Sequence, residues 1–414
     1  MTRQGLAQVF QRLTDPVAPL RFTAYDGSVA GPDDAPAGLE IRSPVAVSYL
    51  LTSPGELGLA RAYVTGDLAV HGDLYVVLRT LADGSETLTP RQRVQLLGSL
   101  GPRYLRRVEP PPEERRVHSR RGWRHSKPRD SAAISHHYDV SNRFYAMVLG
   151  PSMTYTCACY PHEGATLEEA QAEKHDLVSR KLGLRPGMRL LDVGCGWGGM
   201  VMHAAEHHGV RALGVTLSRQ QAEWARKMIA ERGLTDVAEV RHSDYRDVAE
   251  GGFDAVSSIG LTEHVGAASL PAYFRFLHDK LRPHGRLLNH CITRPSTVEP
   301  HRAGKFIDRY VFPDGELEGV GTIVSAMQDN GFEVRHEENL REHYARTLTE
   351  WCANLDANWD DAVREVGGNR ARVWALYMAA CRLGFDRRSI ELHQVLGVRT
   401  DARGGSRMPL RPDW

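Results

Sequence analysis

Three stretches of this 414-residue chain carry residue types suited to chemistry rather than packing. In "FDAVSSIGLTEHVG", an apolar segment from Phe253 to Ile259 ends at a glycine and then meets Glu263 and His264. Charged groups beside a core are costly unless they are paired or useful. In "LLNHCIT", His290 interrupts an apolar run, and taken alone it reads as a hydrogen-bonded core histidine. The third stretch, "LLDVGCGWGG" from Leu190 to Gly199, places Asp192 and then Gly194, Gly196, Gly198 and Gly199 between a strand-like and a helix-like segment. Glycines at such a turn let a ligand lie close to the backbone. The spacing is not the dinucleotide fingerprint GxGxxG, and no Walker lysine follows, which argues against a triphosphate cradle.

The elements that must position these residues alternate. After Gly187, "MRLLDVG", "VRALGVTL", "VAEVRHSD", "DAVSSIG" and "RLLNHCIT" read as strands, separated by helical segments such as "SRQQAEWARKMIAERG" and "LPAYFRFLHDKLRPHG". This βαβ order predicts an α/β fold with a doubly wound, mainly parallel sheet and right-handed crossovers. A polar insertion runs from Thr293 to about Gly319, "FEVRHEENL" adds a strand, and the tail from about Glu342 reads as mainly helical. Residues 1–105 read as a small α+β accessory domain, with a strand expected over Ala46 to Leu51 and a helix from about Ser53 to Val64. Residues 106–130, rich in proline and arginine, read as a linker, and residues 131–414 as the main domain.

Composition excludes several classes. The formal net charge of +1 creates no global field for nucleic acid, and no binding motif accompanies the basic run from Arg115 to Arg129. No apolar run approaches the roughly 20 residues of a membrane span. The N-terminus "MTRQGLAQVFQRL" lacks the continuous apolar stretch of a secretory signal, so a cytoplasmic location is expected. The cysteines Cys157, Cys159, Cys195, Cys291, Cys352 and Cys381 form no paired CxxC knuckles; free thiols and no metal are expected.

A GxGxG turn after the first strand of such a sheet resembles the class I S-adenosylmethionine (SAM) methyltransferases. Thr216 in "GVTLSRQQ" stands where an acid usually meets the ribose, with Gln220 and Gln221 a turn later; these groups can bond a ribose diol or a methionine carboxylate. Asp244 in "SDYRD" can accept from the adenine amino group and Tyr245 can pack on the ring, although Asp244 also reads as a helix N-cap. Together with "HHYDVSN", "TYTCACY", "LDVGCGWGG", "GVTLS", "TEHVG", "LNHCIT" and "HYARTL", met in this order, the chain resembles the cyclopropane-fatty-acyl-phospholipid synthase family, which includes the mycolic acid cyclopropane synthases. The similarity runs from about Ser135 to about Leu396. It implies SAM contacts at Tyr155, Thr156, Gly194, Gly196, Thr216, Leu217, Gln221, Asp244 and Tyr245, and Asp192 at the end of the first strand is placed among the cofactor residues with them. It also implies a bicarbonate site in which Cys157 and Ile292 offer backbone N–H groups while Glu263, His290 and Tyr344 use side chains.

The chemistry implied is C-methylation of a cis double bond in the acyl chain of an unsaturated phospholipid. Attack on the SAM methyl leaves a carbocation, which a strong protein nucleophile would trap; bicarbonate is a small, weak base that removes the proton without that risk. Proton loss from the new methyl closes a cyclopropane. Proton loss after a hydride shift leaves a methylene branch, which a separate reductase converts to a methyl branch. Relatives usually carry an aromatic where this chain has Thr262 and Cys159. Fewer aromatic faces mean less cation–π support for the cation, which leans the expectation toward branched products.

Two rivals remain. A small-molecule methyltransferase would share the fold but needs no anion site, and would work without lipid. A catalytically inactive protein of the membrane surface would lack SAM turnover; the intact glycine loop argues against it. The basic run Arg115 to Arg129, with Trp123, suits anionic headgroups and a peripheral position at the inner membrane surface. The N-terminal domain would serve lipid contact or a homodimer, between which the sequence does not choose.

Overall fold

The computed structural model describes residues 5–14, 18–84, 89, 96, 98, 100–101, 104–114, 141–298, 304–312 and 315–414. The chain divides into two compact units. The first comprises Met1–Ser119, Gly304–Pro313 and Leu355–Leu383; the second comprises Arg120–Ala303, Asp314–Asn354 and Gly384–Trp414.

The first unit holds α1 (Leu6–Thr14), β1 (Arg21–Ala24), β2 (Val29–Ala30), β3 (Gly38–Ile41), α2 (Pro44–Thr52), α3 (Glu56–Val64), β4 (Leu68–His71) and α4 (Leu74–Gly84). Its strands form a sheet in the order β2-β1-β3-β4. The strand expected over Ala46 to Leu51 is instead the helix α2. Ser43 caps it by accepting from Val45 N (3.0 Å), and Pro44 occupies the first turn, so a local start signal outweighs the apolar, strand-like content.

The boundary expected at residue 105 also shifts. Residues 106–114 pack into the first unit: Tyr49 Oη donates to the Glu109 carbonyl (2.6 Å), and Glu114 is buried. The Glu114 carboxylate accepts from Arg61 Nε (2.6 Å) and Nη2 (2.7 Å), from Arg309 Nη1 (2.7 Å) and from Tyr310 Oη (3.1 Å). A proline-rich composition reads as solvated linker, yet one acid with well-placed cations ties it down. Segments 304–313 and 355–383 also group with this unit. The remaining linker residues, 115–130, lie outside the described residues.

The second unit begins with α5 (Asn142–Leu149) and α6 (Leu167–Leu182), followed by β5 (Arg189–Val193), α7 (Gly199–His208), β6 (Arg211–Thr216), α8 (Arg219–Glu231), β7 (Ala238–His242), β8 (Phe253–Ile259), α9 (Leu270–Lys280), β9 (Leu281–Thr293), α10 (Val320–Asp329) and β10 (Phe332–Asn339). α11 (Arg341–Ala357) belongs to this unit as far as Asn354, α12 (Trp359–Val366) and α13 (Gly368–Asp386) as far as Leu383 belong to the first unit, and β11 (Glu391–Arg399) returns to the second. The sheet order is β10-β11-β9-β8-β5-β6-β7. All pairs from β9 to β7 are parallel, while β11 is antiparallel to both neighbours.

Strand alternation sorts side chains onto two faces. Leu190, Leu288 and Leu396 join the core with Val178 of α6 and Val201 of α7; Leu191, Leu287 and Val395 join the core with Phe274 of α9 and Met327 of α10. By the same alternation Asp192 and His290 face the α6 side, and Asn289 and Cys291 the α9 side. The tail expected to be mainly helical ends in β11, whose residues are buried from Glu391 to Val398. A strand buried on both faces loses the period-two signal.

Candidate active site

From β5 the chain winds outward through β6 and β7, then returns to the other side of β5 as β8. That reversal leaves a crevice at the carboxyl ends of the strands, where such folds bind ligands. Residues from every surrounding turn line it: Asp192, Gly194, Gly196 and Trp197 after β5, Thr216, Leu217 and Gln221 after β6, Ser243 and Tyr245 after β7, and Gly260, Leu261 and His264 after β8. Tyr155 and Thr156 close it from the segment between α5 and α6. The glycine turn depends on left-handed backbone: Gly194 has φ +74°, and a Cβ there would press on Leu261 at 3.2 Å. At Gly196 (φ +54°) a Cβ would meet nothing within 4 Å, leaving open space against the backbone.

Nine of the expected cofactor residues therefore share one cleft: Tyr155, Thr156, Asp192, Gly194, Gly196, Thr216, Leu217, Gln221 and Tyr245. Gln221 Oε1 accepts from Thr216 Oγ1 (2.8 Å). The Asp192 carboxylate accepts from Ser257 Oγ (2.6 Å), and burial pushes it up to about 7. Asp244 stands beside the cleft without lining it. It caps the turn at Tyr245–Asp247 and its carboxylate is bound by Arg246 (Nε 2.8 Å, Nη2 2.6 Å), so the capping reading describes its position.

Of the second expected set, Glu263 follows β8, while His290 and Ile292 lie on β9. Glu263 is half-buried, with its Oε2 shielded from solvent, and desolvation raises its carboxyl to about 7 against the opposing hydrogen bond from Ile292. Its Oε1 accepts from Ile292 N (2.7 Å); its Oε2 has no partner among the described residues. The Ile292 N–H, expected to face an anion, thus binds the acid. His290 pairs in register with Ile259 of β8 and Gln394 of β11. A relay fixes its tautomer: Lys181 Nζ donates to Gln394 Oε1 (2.7 Å), which turns the Gln394 amide nitrogen toward His290 Nδ1 (3.2 Å). Nδ1 then accepts, so Nε2 carries the hydrogen, and Nε2 is buried without a partner among the described residues. Burial, with Lys174 and Lys181 nearby, holds His290 neutral by depressing its pKa well below the ordinary value.

Cys157 and Tyr344 meet the first turn of α11: Cys157 Sγ lies 3.8 Å from the Leu340 carbonyl, which accepts from Tyr344 N (3.1 Å). Burial keeps Cys157 a thiol. The Tyr344 ring packs on Phe385 (4.5 Å) and edge-on to Trp351 (6.0 Å).

Three features escaped the sequence reading. Trp351 links Tyr344 to Tyr155 of the cleft (5.3 Å), and Tyr155 continues through Tyr145 to Trp197, forming an aromatic row. His264, to which no cleft role was assigned, lines the cleft. Lys174 also lines it although 1 % exposed; its place on the apolar stripe of α6, between Gln171 and Val178, is the signal that marks it.

Thr262 was expected beside the reacting alkene. It is buried and its hydroxyl donates to Asn289 Oδ1 (2.6 Å), on the face of β9 opposite His290. A short polar side chain there completes a hydrogen bond under the sheet, and it is not among the cleft residues. His136, His137 and the rest of "HHYDV" lie outside the described residues.

With the glycine turn, Glu263 and His290 in place, comparison with known proteins is decisive. The profile of the mycolic acid cyclopropane synthetase family matches residues 125–395. The chain belongs to this family. It is 57 % identical over 405 residues to a probable fatty acid methyltransferase of Mycobacterium tuberculosis, covering 96 % of this chain and 95 % of the relative. It is 37 % identical over 409 residues to a probable fatty acid methyltransferase of Pseudomonas putida, covering 98 % of each. The solved cyclopropane synthase MmaA2 of Mycobacterium tuberculosis superposes with a TM-score of 0.62 at 32 % identity, over 65 % of this chain and 98 % of that one. The mycolic acid cyclopropane synthase CmaA1, solved with S-adenosylhomocysteine (SAH) and CTAB, gives 0.62 at 34 % identity, over 65 % and 98 %. The fold is that of the class I SAM methyltransferases. Among the described residues no helix is long and apolar enough to cross a membrane.

Proposed function

We propose that this family member methylates the cis double bond of unsaturated fatty acyl chains in phospholipids, with SAM as methyl donor and bicarbonate as the base. The observation that carries the reading is the pair of buried polar atoms, Glu263 Oε2 and His290 Nε2, that no group among the described residues satisfies. Family membership and the fatty acid methyltransferases named above support the substrate class.

The cleft fits SAM. Gly196 leaves backbone room for it, Thr216 and Gln221 offer uncharged hydrogen-bonding groups, and Tyr245 offers a ring face. SAM supplies the electrophilic methyl group; the alkene carbon forms the new bond as the sulfur–methyl bond breaks, leaving the positive charge on the neighbouring carbon of the lipid. The donor set at Glu263 and His290 fits bicarbonate, which supplies an oxygen that accepts the proton lost from that cation. His290, neutral with its hydrogen on Nε2, donates to an anion's oxygen, and Glu263 accepts from its hydroxyl. Neither protein group then needs to touch the cation. Tyr344 adds a second donor, and the row Tyr344–Trp351–Tyr155 offers aromatic faces toward charge developing on the lipid. Proton loss from the new methyl gives a cyclopropane; proton loss after a hydride shift gives a methylene branch for a separate reductase. The basic run Arg115 to Arg129 supports work at a membrane surface, tested by liposome co-sedimentation with those bases neutralised.

The deciding experiment incubates the protein with methyl-labelled SAM, bicarbonate and defined cis-unsaturated phospholipids, and analyses the lipids by mass spectrometry and NMR. Label in the acyl chain, dependent on bicarbonate, is the expected result. Cyclopropane protons upfield of the methyl region report ring closure, and vinylidene protons report the methylene branch. Label released only on small molecules, with no lipid dependence, overturns the proposal.

A further inference from the structure

Helix α6 buries two lysines, seven residues apart, that differ in one respect. Lys181 donates to Gln394 Oε1 (2.7 Å) and pairs with Glu338. Lys174 has one hydrogen-bond partner among the described residues, Thr156 Oγ1 (3.1 Å), and no carboxylate within ion-pair distance of it there. The ionisable groups around it are poor counter-ions. Asp192 is raised toward neutrality by burial, Cys157 and Cys159 are held as thiols, and His175 and His290 are held neutral. Burial lowers Lys174 itself only to about 8, so it remains largely an ammonium at neutral pH. An ammonium has three hydrogens to place, and burying it beside a single hydroxyl is costly. Both Lys174 and Thr156 line the cleft, as do Gly194 and Gly196.

We infer that Lys174 and Thr156 form a carboxylate-binding subsite of the cleft, and that its ligand is the α-carboxylate at the amino-acid end of SAM and SAH. The inference rests on the cleft being the SAM site. A ligand carboxylate supplies the counter-charge that the protein provides for Lys181 and withholds from Lys174. The burial of Lys174 is then compensated only by the complete cofactor, and a nucleoside lacking the amino-acid end gains nothing from it. Bicarbonate shares the chemistry of a small carboxylate, so the test separates the two.

The test measures binding to the full-length protein by calorimetry with three ligands: SAH, its decarboxylated analogue S-adenosyl-3-thiopropylamine, and 5′-methylthioadenosine. Wild type, Lys174→Met and Lys174→Gln are compared, each with and without bicarbonate. Wild type should bind SAH about tenfold to a hundredfold more tightly than the decarboxylated analogue, the range of a charge-assisted hydrogen bond. Both variants should lose that discrimination while keeping their affinity for methylthioadenosine, which also reports that the cleft remains folded. The non-additivity of protein and ligand deletions isolates the pair. A wild-type protein indifferent to the ligand's carboxylate, or variants that retain full discrimination, overturn the assignment. A Lys174 effect that appears only when bicarbonate is added with methylthioadenosine overturns it in favour of bicarbonate as the occupant. Failure of wild type to bind all three ligands overturns the cofactor reading and this assignment with it, whereas SAH binding without carboxylate discrimination removes the assignment alone.

Discussion

Each unit of the molecule shields a glutamate carboxylate from solvent, Glu114 in one and Glu263 in the other, and the two are treated in opposite ways. Glu114 in the first unit accepts from Arg61, Arg309 and Tyr310. Burial by itself would raise its pKa, but these partners hold it below the ordinary carboxylate range. Glu263 in the second unit has one backbone N–H on Oε1, nothing among the described residues on Oε2, and a carboxyl raised to about 7 by burial. A buried acid surrounded by cations belongs to architecture. A buried acid left half-satisfied costs stability, and that cost marks a place where a ligand is expected.

The largest expected effect tests the architectural half. Glu114→Ala leaves Arg61 buried without its partner, which should cost about 3–5 kcal/mol of stability. Chemical denaturation of the full chain measures it, and SAH affinity should stay within about twofold, as for distant independent sites. A variant of unchanged stability would remove the contrast between the two acids.

Glu263→Gln tests the other half and should act in two directions. Turnover on unsaturated phospholipid should fall by about 10²–10³-fold, the usual loss when one positioned hydrogen-bonding group is removed, with SAH affinity kept. Stability should move the opposite way. The folded-state pKa of Glu263 lies above its unfolded value of 4.5, so its contribution is fully present below that value and is lost as pH rises through about 7. Glutamine has no proton to lose, so the variant should gain on wild type between pH 5 and pH 8. Melting curves across that range check the sign. Wild-type turnover should rise through about pH 7 as the acid ionises, and a flat profile would show that the carboxylate form is not required.

A smaller loss is expected one position removed from the anion. Gln394→Leu breaks the relay from Lys181 that keeps the hydrogen on His290 Nε2. Turnover should fall about tenfold, consistent with loss of one neutral hydrogen bond worth about 1–1.5 kcal/mol. Histidine NMR should show the tautomer becoming mixed, a change that a merely structural glutamine would not cause.

The contrast also explains what the sequence could disclose. The sheet strands that alternate with helices, from Leu190 to Thr293, were legible because each local period agrees with its neighbours. The cleft residues followed because the glycine turn and the strand ends have fixed places in such a sheet. Glu114 was illegible: its partners Arg61 and Arg309 lie far off in sequence, and a proline-rich segment looks the same whether solvated or packed. β11 was hidden by burial on both faces, and Lys174 by being a lysine, a residue usually assigned to the surface. His290 was expected to donate to bicarbonate, but which nitrogen carries the hydrogen was illegible, since the tautomer depends on Gln394, which belongs to that same unrecognised strand.

The smallest effect concerns the two faces of one strand. His290 and Asn289 are adjacent on β9 and point to opposite sides of the sheet. Thr262 donates to Asn289, so its chemistry lies on the face away from His290. The threonine found where relatives carry an aromatic is thus engaged in a buried hydrogen bond with Asn289. Thr262→Val should cost about 1–2 kcal/mol, the loss of a buried hydrogen bond, and leave the ratio of cyclopropane to methylene product unchanged. Cys159, the other departure from the aromatic pattern, is buried near Lys174, which lines the cleft. If product choice responds to either position, it should respond to Cys159→Phe, read as the ratio of cyclopropane to vinylidene signals in extracted lipid. A shift in that ratio from Thr262→Val instead would place the reacting alkene on the wrong face of β9.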